Sequence, residues 1–379
     1  MVRPTSSRVL PDVAELRRAD AGIGQGLRVH TVVPDVAGDG IRLYGVAAAR
    51  VRADLGRPSS WSTVVDVPAE LSHCDVVHAH LTDRTVEEHP GEWRALLGPR
   101  RPGGPLVVVT VHDVPEAAEG RERSVRRSAR LRDLCRHVDL VVVSSEHERR
   151  GAAAIGIEAS VVPHPLPERG DVEGGSADVP WSDGARPRSL TVAGFVHPGK
   201  GIVELLDAIG DVRGTALAGW ELRLVGGHVS AHDDYLDRVA ARCERFGLAL
   251  HHTGPVDDRR WAGELRSATI PVAPHLHCSA SGSMLAWCAH GRRPFVSAIP
   301  FARELAAERP DAVSLVEGPS DWRGRLVEAA TAADSCRFDA AGWRTAAGAV
   351  DRFDQLIGAL WTDRRDSTIS TVAGGGTAS

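Results

Sequence analysis

Short, nearly continuous apolar runs alternate along this chain with longer stretches of helical periodicity. In the first half the apolar runs cover residues 27–33, 75–80, 106–111, 140–144 and 160–162. Strands apolar on both faces belong to a parallel sheet covered by helices on either side. Between Glu168 and Arg188 the periodicity lapses and turn-forming residues gather, which predicts an interdomain linker over 168–188. The alternation then resumes at 189–192, 221–225, 248–253, 269–273, 294–297 and 312–316, with helical patterns over 202–209, 235–246 and 284–290. The pattern predicts an α/β chain of two doubly wound, Rossmann-like domains facing a cleft, with ligands at the carboxyl ends of the strands. The expected limits are an N-terminal extension over 1–26, a first domain over 27–167, and a second domain over 189–339. Apolar residues at helical spacing predict a further amphipathic helix within 340–362. A Ser-, Thr- and Gly-rich tail over 366–379 is expected to be disordered.

Length and charge narrow the picture further. At 379 residues the chain exceeds what one hydrophobic core usually supports, in keeping with two domains. A net charge of −5 offers no basic excess for a phosphate polymer or an anionic membrane, so nucleic acid is not an expected partner. The six cysteines are scattered without CxxC pairs, which reads as reduced thiols in a cytoplasmic protein rather than a disulfide framework or a zinc site. Residues 1–26 are polar and arginine-bearing, unlike a signal peptide, and no apolar run approaches the roughly 20 residues of a membrane span.

Of 45 strongly basic residues, only Lys200 is a lysine. In a chain so rich in arginine, a decorative surface lysine is the alternative that has to be weighed against a specific role. Lys200 lies in Gly194-Phe195-Val196-His197-Pro198-Gly199-Lys200-Gly201, between a strand pattern and a helix pattern. A strand, a glycine-bearing turn with a point cation and a helix N-terminus together suit an anion.

These residues resemble the GT-B-fold retaining glycosyltransferases, over about residues 27–362. In that family the second domain opens with a strand, Gly-Arg-x-x-x-x-Lys-Gly and a helix. Here Gly194, Lys200 and Gly201 match, and Phe195 replaces the arginine. Gly38-Asp39-Gly40 is similar to the glycine loop after the first strand, and Asp75-Val76-Val77-His78-Ala79-His80, Thr110-Val111-His112-Asp113 and Val161-Val162-Pro163-His164-Pro165 follow in the family's order. The resemblance implies a metal-independent enzyme moving a sugar with retention from a GDP- or UDP-sugar, a co-substrate rather than a bound cofactor. The acceptor would be a small polar molecule, as in natural-product or small-thiol biosynthesis, and a homodimer is left open.

One departure is chemical. The family has two glutamates eight positions apart, and Cys278 and Ala286 occupy those positions. Ser279, Ser281, Gly282 and Ser283 still offer hydroxyls and amides at a helix start for a diphosphate. Glu304 is a substitute candidate for the ribose contact. Lys200 and His112 are the catalytic candidates, and His197 is a candidate for the role of the missing arginine. Gly38, Asp39, Gly40, His80 and His164 are expected on the acceptor side. His112 and His164 each also read as residues that only order their own loops. Asp113 reads as a turn cap. Pairs such as His78/His80, His251/His252 and His275/His277 lack a nearby third ligand, so no metal is expected. Two alternatives remain: a sugar-nucleotide epimerase, for which no acid/base carboxylate pair stands out, and a nucleotide-sugar-binding pseudoenzyme, suggested by the missing glutamates. A nicotinamide oxidoreductase fits least, since the first glycine loop is not GxGxxG.

Overall fold

The computed structural model describes residues 21–36, 40–67, 71, 73–99, 103–116, 119–167, 188–228, 233–332 and 336–374. They fall into two compact units, one of residues up to 144 with 151–163 and those from 346 on, the other of 145–150 with 164–345. The expected linker, except for Arg188, and most of the N-terminal extension lie outside the described residues.

In the first unit, strands β1 (Val29–Val33), β2 (Ser59–Thr63), β3 (Val76–Leu81), β4 (Leu106–Val111), β5 (Leu140–Val143) and β6 (Ser160–Val161) form a sheet in the order β2-β1-β3-β4-β5-β6. All pairings are parallel. β1, β3, β4 and β5 are buried along their whole length, which is why they read as apolar runs. β2 is polar, Ser-Ser-Trp-Ser-Thr, and lies at the sheet edge with only Thr63 buried, so it carries no apolar strand signal in the sequence.

The helix Ala346–Gly374 belongs to this unit and runs past Asp366, where composition suggested disorder. It meets the short helix Ala21–Gly26 at two glycines: a Cβ on Gly358 would stand 2.9 Å from the Gly24 nitrogen, so the backbones touch. A buried ion pair between Arg52 and Asp354 lies at the same contact. Arg52 Nη2 also donates to the carbonyls of Gly24 (3.0 Å) and Leu27 (2.9 Å). Each partner of the pair is almost fully buried, which binds the returning helix by charge as well as by Phe353, Leu356 and Ile357.

In the second unit, β7 (Ser189–Ala193), β8 (Glu221–Val225), β9 (Ala249–His252), β10 (Ile270–Ala273), β11 (Phe295–Ser297) and β12 (Ser314–Val316) form a second parallel sheet in the order β12-β11-β10-β7-β8-β9. The helix Ile202–Ile209 covers it with Ile202, Val203, Leu205, Leu206 and Ile209 buried, each worth about 1.5–3 kcal/mol of transfer free energy. Among the described residues no helix is long and apolar enough to cross a membrane.

Candidate functional site

In the second sheet β7 and β10 are neighbours, yet the chain leaves them in opposite directions, from β7 toward β8 and from β10 toward β11. Such a reversal opens a crevice beyond the carboxyl ends of the two strands. The loops after both strands carry candidate residues.

Gly194 follows β7 with φ at 100°, a conformation that disfavours side chains, and a Cβ there would stand 2.9 Å from Lys200 Nζ. The chain then makes one 3₁₀ turn, Pro198–Lys200, and passes through Gly201 at φ 68° into the helix Ile202–Ile209. Any side chain at Gly201 would collide with the Pro274 carbonyl oxygen, so the loops after β7 and β10 approach to backbone contact. Leu276 N donates to Gly199 O at 3.1 Å across the same seam.

Lys200 is buried in this seam, with 6% of its surface exposed. Its Nζ donates to Ala193 O at 3.0 Å and to Ser283 Oγ at 2.9 Å. Burial lowers the ammonium pKa to about 8, with nearby Cys278 pulling slightly the other way. Among the described residues no carboxylate pairs with it. A desolvated cation held by neutral oxygens favours an anionic ligand.

Ser281 caps the helix Gly282–Ala289: its Oγ accepts from Met284 N at 3.2 Å and lies 3.1 Å from Ser283 Oγ. Lys200, Ser283 and Ser281 thus form one polar chain, with Gly282 exposed in the first turn of that helix. His197 and His277 flank Gly199, where a Cβ would stand 3.0 Å from His197 Cε1 and 3.9 Å from His277 Cε1.

His275, absent from the candidates drawn from sequence, is also here. It is 6% exposed, and its Nδ1 has no hydrogen-bond partner among the described residues. Burial, and then the charge of Lys200, hold its pKa well below the usual range, so the ring is neutral at pH 7. Its signal was positional: it is the second residue beyond a strand at the reversal of the sheet.

Other candidates are engaged elsewhere. The amides of Ile202 (3.1 Å) and Val203 (3.3 Å) donate to the Tyr235 hydroxyl, so these two donors at the start of the helix after Lys200 already have a protein acceptor. Ser279 accepts through its carbonyl from Ser145 Oγ at 3.2 Å. Glu304 accepts from Glu146 N at 3.0 Å and pairs with Arg150 at 3.3 Å, which ties it to the start of the helix Glu146–Ala154. Ala286, at the second glutamate position, is buried in an apolar cluster with Ala193, Leu265, Ala268 and Trp287. His164 Nδ1 lies 2.9 Å from the Pro165 carbonyl.

In the first unit His80, buried on β3, and His112, just beyond β4, come together: His80 Nδ1 is 3.0 Å from His112 Nε2, and Tyr44 sets its ring edge against both at 5.5 and 5.1 Å. His78 stacks on Phe353 at 4.2 Å, and its Nε2 lies 2.7 Å from Thr110 Oγ1. Burial, helped by the charges of His112 and Arg52, pushes the His78 pKa down to about 3. Asp113 pairs with Arg127 at 2.7 Å, an ion pair rather than only a turn cap. Gly40 opens the helix Gly40–Asp54, while Gly38 and Asp39 lie outside the described residues.

No protein-family model and no curated protein matches the sequence. The fold, two six-stranded parallel sheets each wrapped by helices, is that of the GT-B glycosyltransferases. The structure is similar to HepE from Anabaena in complex with UDP and glucose, with a TM-score of 0.60 and 13% identity over 92% of this chain and 100% of that one. It is similar to a glycosyltransferase from Rickettsia africae (0.57, 12% identity, 93% and 100% covered). A third similar structure is sucrose-phosphate synthase from Thermosynechococcus elongatus (0.52, 15%, 92% and 100%). At these identities the likeness is one of fold.

Proposed function

We propose that this chain is a glycosyltransferase that takes a sugar from a nucleoside-diphosphate donor, with the diphosphate at Lys200, Ser281 and Ser283. The observation that carries the proposal is the buried ammonium of Lys200 at the reversal of the second sheet, with no carboxylate partner among the described residues. UDP is favoured over GDP as the base carrier because UDP and glucose are the ligands of the Anabaena protein of similar fold.

In the reaction the bond from the anomeric carbon to the diphosphate oxygen breaks, and negative charge develops on that oxygen. On this reading Lys200 and the Ser283 hydroxyl offset it. Preorganised donors of this kind are worth roughly 10²–10³ in rate each. The acceptor's nucleophilic atom forms its bond to the anomeric carbon on the face the diphosphate leaves and gives up its proton to that departing diphosphate, a route that would give retention without a protein nucleophile. We assign His112 and His80 to the acceptor side and take the acceptor to be small and polar.

A second reading has its own observation: with Ala286 in an apolar cluster and a thiol at Cys278, neither glutamate position offers a carboxylate to the donor. On that reading the chain binds nucleotide sugar without turnover. The test is a thermal-shift panel of UDP, UDP-glucose, GDP and GDP-mannose on the wild type and Lys200→Ala, paired with an assay for released nucleoside diphosphate. A donor at a hundredfold its Kd adds about 2.7 kcal/mol to stability. Stabilisation by one nucleotide that Lys200→Ala abolishes, with diphosphate released, supports the transferase. Binding without release across an acceptor panel supports the second reading, and no binding at all removes both.

A further inference from the structure

We propose that His30, His73 and Cys74 form a site for a zinc-class divalent cation in the first unit. One donor atom from each residue lies within 4.8 Å of the other two. Around a tetrahedral Zn²⁺, with bonds of about 2.0–2.3 Å, such donors stand roughly 3.3–3.6 Å apart, so small side-chain rotations bring them into register. Two imidazoles and a thiolate select zinc over calcium or magnesium, which take oxygen ligands.

Each ligand sits on a firm support. His30 is the second residue of β1, 3% exposed, paired in register with Ser60 of β2 and Val77 of β3. Its Nδ1 is 2.8 Å from Ser60 Oγ and its Nε2 3.0 Å from Ser62 Oγ. A neutral imidazole donates through one nitrogen and accepts through the other. The serine hydroxyl that donates can rotate away and release a lone pair to the cation. The other serine stays on the ring N–H, the outer support that metal-bound histidines require.

His73 and Cys74 lie in the turn that enters β3, held by Cys74 N donating to Leu71 O at 3.0 Å. Next to them Asp75 grips Arg28, through the backbone N at 2.8 Å and through the guanidinium at 3.0 Å. That bridge fixes the chain on both sides of the site and commits the nearest carboxylate elsewhere. Cys74 is buried and His73 exposed, so the cation would have an inner thiolate, an entry path and an outward fourth position for water. Binding takes the Cys74 thiol to the thiolate and releases a proton. His30 and His73 are distant in sequence, so no ligand spacing announces the site. Its effect would be to pin the turn before β3 onto β1.

The probe is Co²⁺, titrated into chelator-stripped protein without nucleotide and then displaced by Zn²⁺. The expected result is one equivalent bound with a thiolate-to-cobalt charge-transfer band and a melting temperature raised by Zn²⁺. His73→Ala, at an exposed position that leaves folding intact, should weaken Co²⁺ at least tenfold, and Cys74→Ser should erase the band. No band in the wild type, a band that survives in Cys74→Ser, or unchanged affinity in His73→Ala overturns the site.

Discussion

The Nζ of Lys200 and the Oγ of Ser283 lie 2.9 Å apart, joining the loop after β7 to the helix after β10 across 83 residues of sequence. Among the described residues the buried positive charge meets only neutral oxygens, and the first prediction follows from that cost. Without nucleotide at pH 7, Lys200→Met should be more stable than the wild type by about 1–3 kcal/mol, since an apolar side chain replaces a desolvated charge. It should also lose nucleotide binding. The unfolded lysine keeps its proton to about 10.5 and the folded one only to about 8, so between these values the unfolded state holds more protons. Wild-type stability should therefore rise with pH through that window, and the variant should lack the rise. Urea unfolding at pH 7 and pH 10 measures both. A variant less stable than the wild type at pH 7 would show that the ammonium has protein partners stronger than those described.

Gly201 should tolerate no side chain. Gly201→Ala combines a φ of 68° with a collision against the Pro274 carbonyl and should cost about 2–4 kcal/mol. Gly254→Ala, at φ 66° with open space around it, carries only the conformational part and should cost about 1 kcal/mol. Equal losses in denaturant titrations would mean that the close approach of the two loops contributes nothing.

Much of the fold could be read in advance, and the failures have physical causes. β4, β8 and the helix Ile202–Ile209 fall where their apolar patterns placed them, because both faces of those strands and five positions of that helix are buried. β2 is invisible in the sequence because a serine-rich edge strand has no apolar signature. At the site, Gly194, Lys200 and Gly201 were legible because backbone strain and a solitary cation leave marks in sequence. Glu304 has the carboxylate that a ribose contact asks for, but charge alone does not say which neighbour it meets, and it meets Glu146 and Arg150. His275 reads in sequence only as half of a His275/His277 pair without a third ligand, because a buried neutral histidine looks in sequence like any loop histidine.

Acid should unfold the protein partly through His275 and His78. Both are buried with pKa values held below the unfolded 6.5, so below that pH the unfolded state takes up protons that the native state refuses. Stability should fall as pH drops from about 6.5, by up to about 1.4 kcal/mol per pH unit for each ring. His275→Gln should flatten the slope between pH 6.5 and 4.5 by about one proton. An unchanged slope in chemical denaturation at several pH values would show that His275 takes up a proton in the folded protein.

Asp354→Ala should be among the most damaging changes in the first unit. It strands Arg52 without its counter-charge where the helices Ala21–Gly26 and Ala346–Gly374 meet. Loss of one partner from a buried pair costs about 3–5 kcal/mol. Asp351→Ala removes only the half-exposed partner of Arg57 and should cost less than 1 kcal/mol. Comparable losses for the two variants in urea would remove the special status of the Arg52–Asp354 pair.

The solitude and burial of Lys200 also make the chain a reporter of its own opening. A lysine-specific protease has one bond to cut in 379 residues, the one between Lys200 and Gly201, and the native seam withholds it. Cleavage into two fragments then requires the seam beside β7 to open. When reclosing outpaces cutting, its rate measures the opening free energy of that one place. A ligand bound there would show itself as a slower cut.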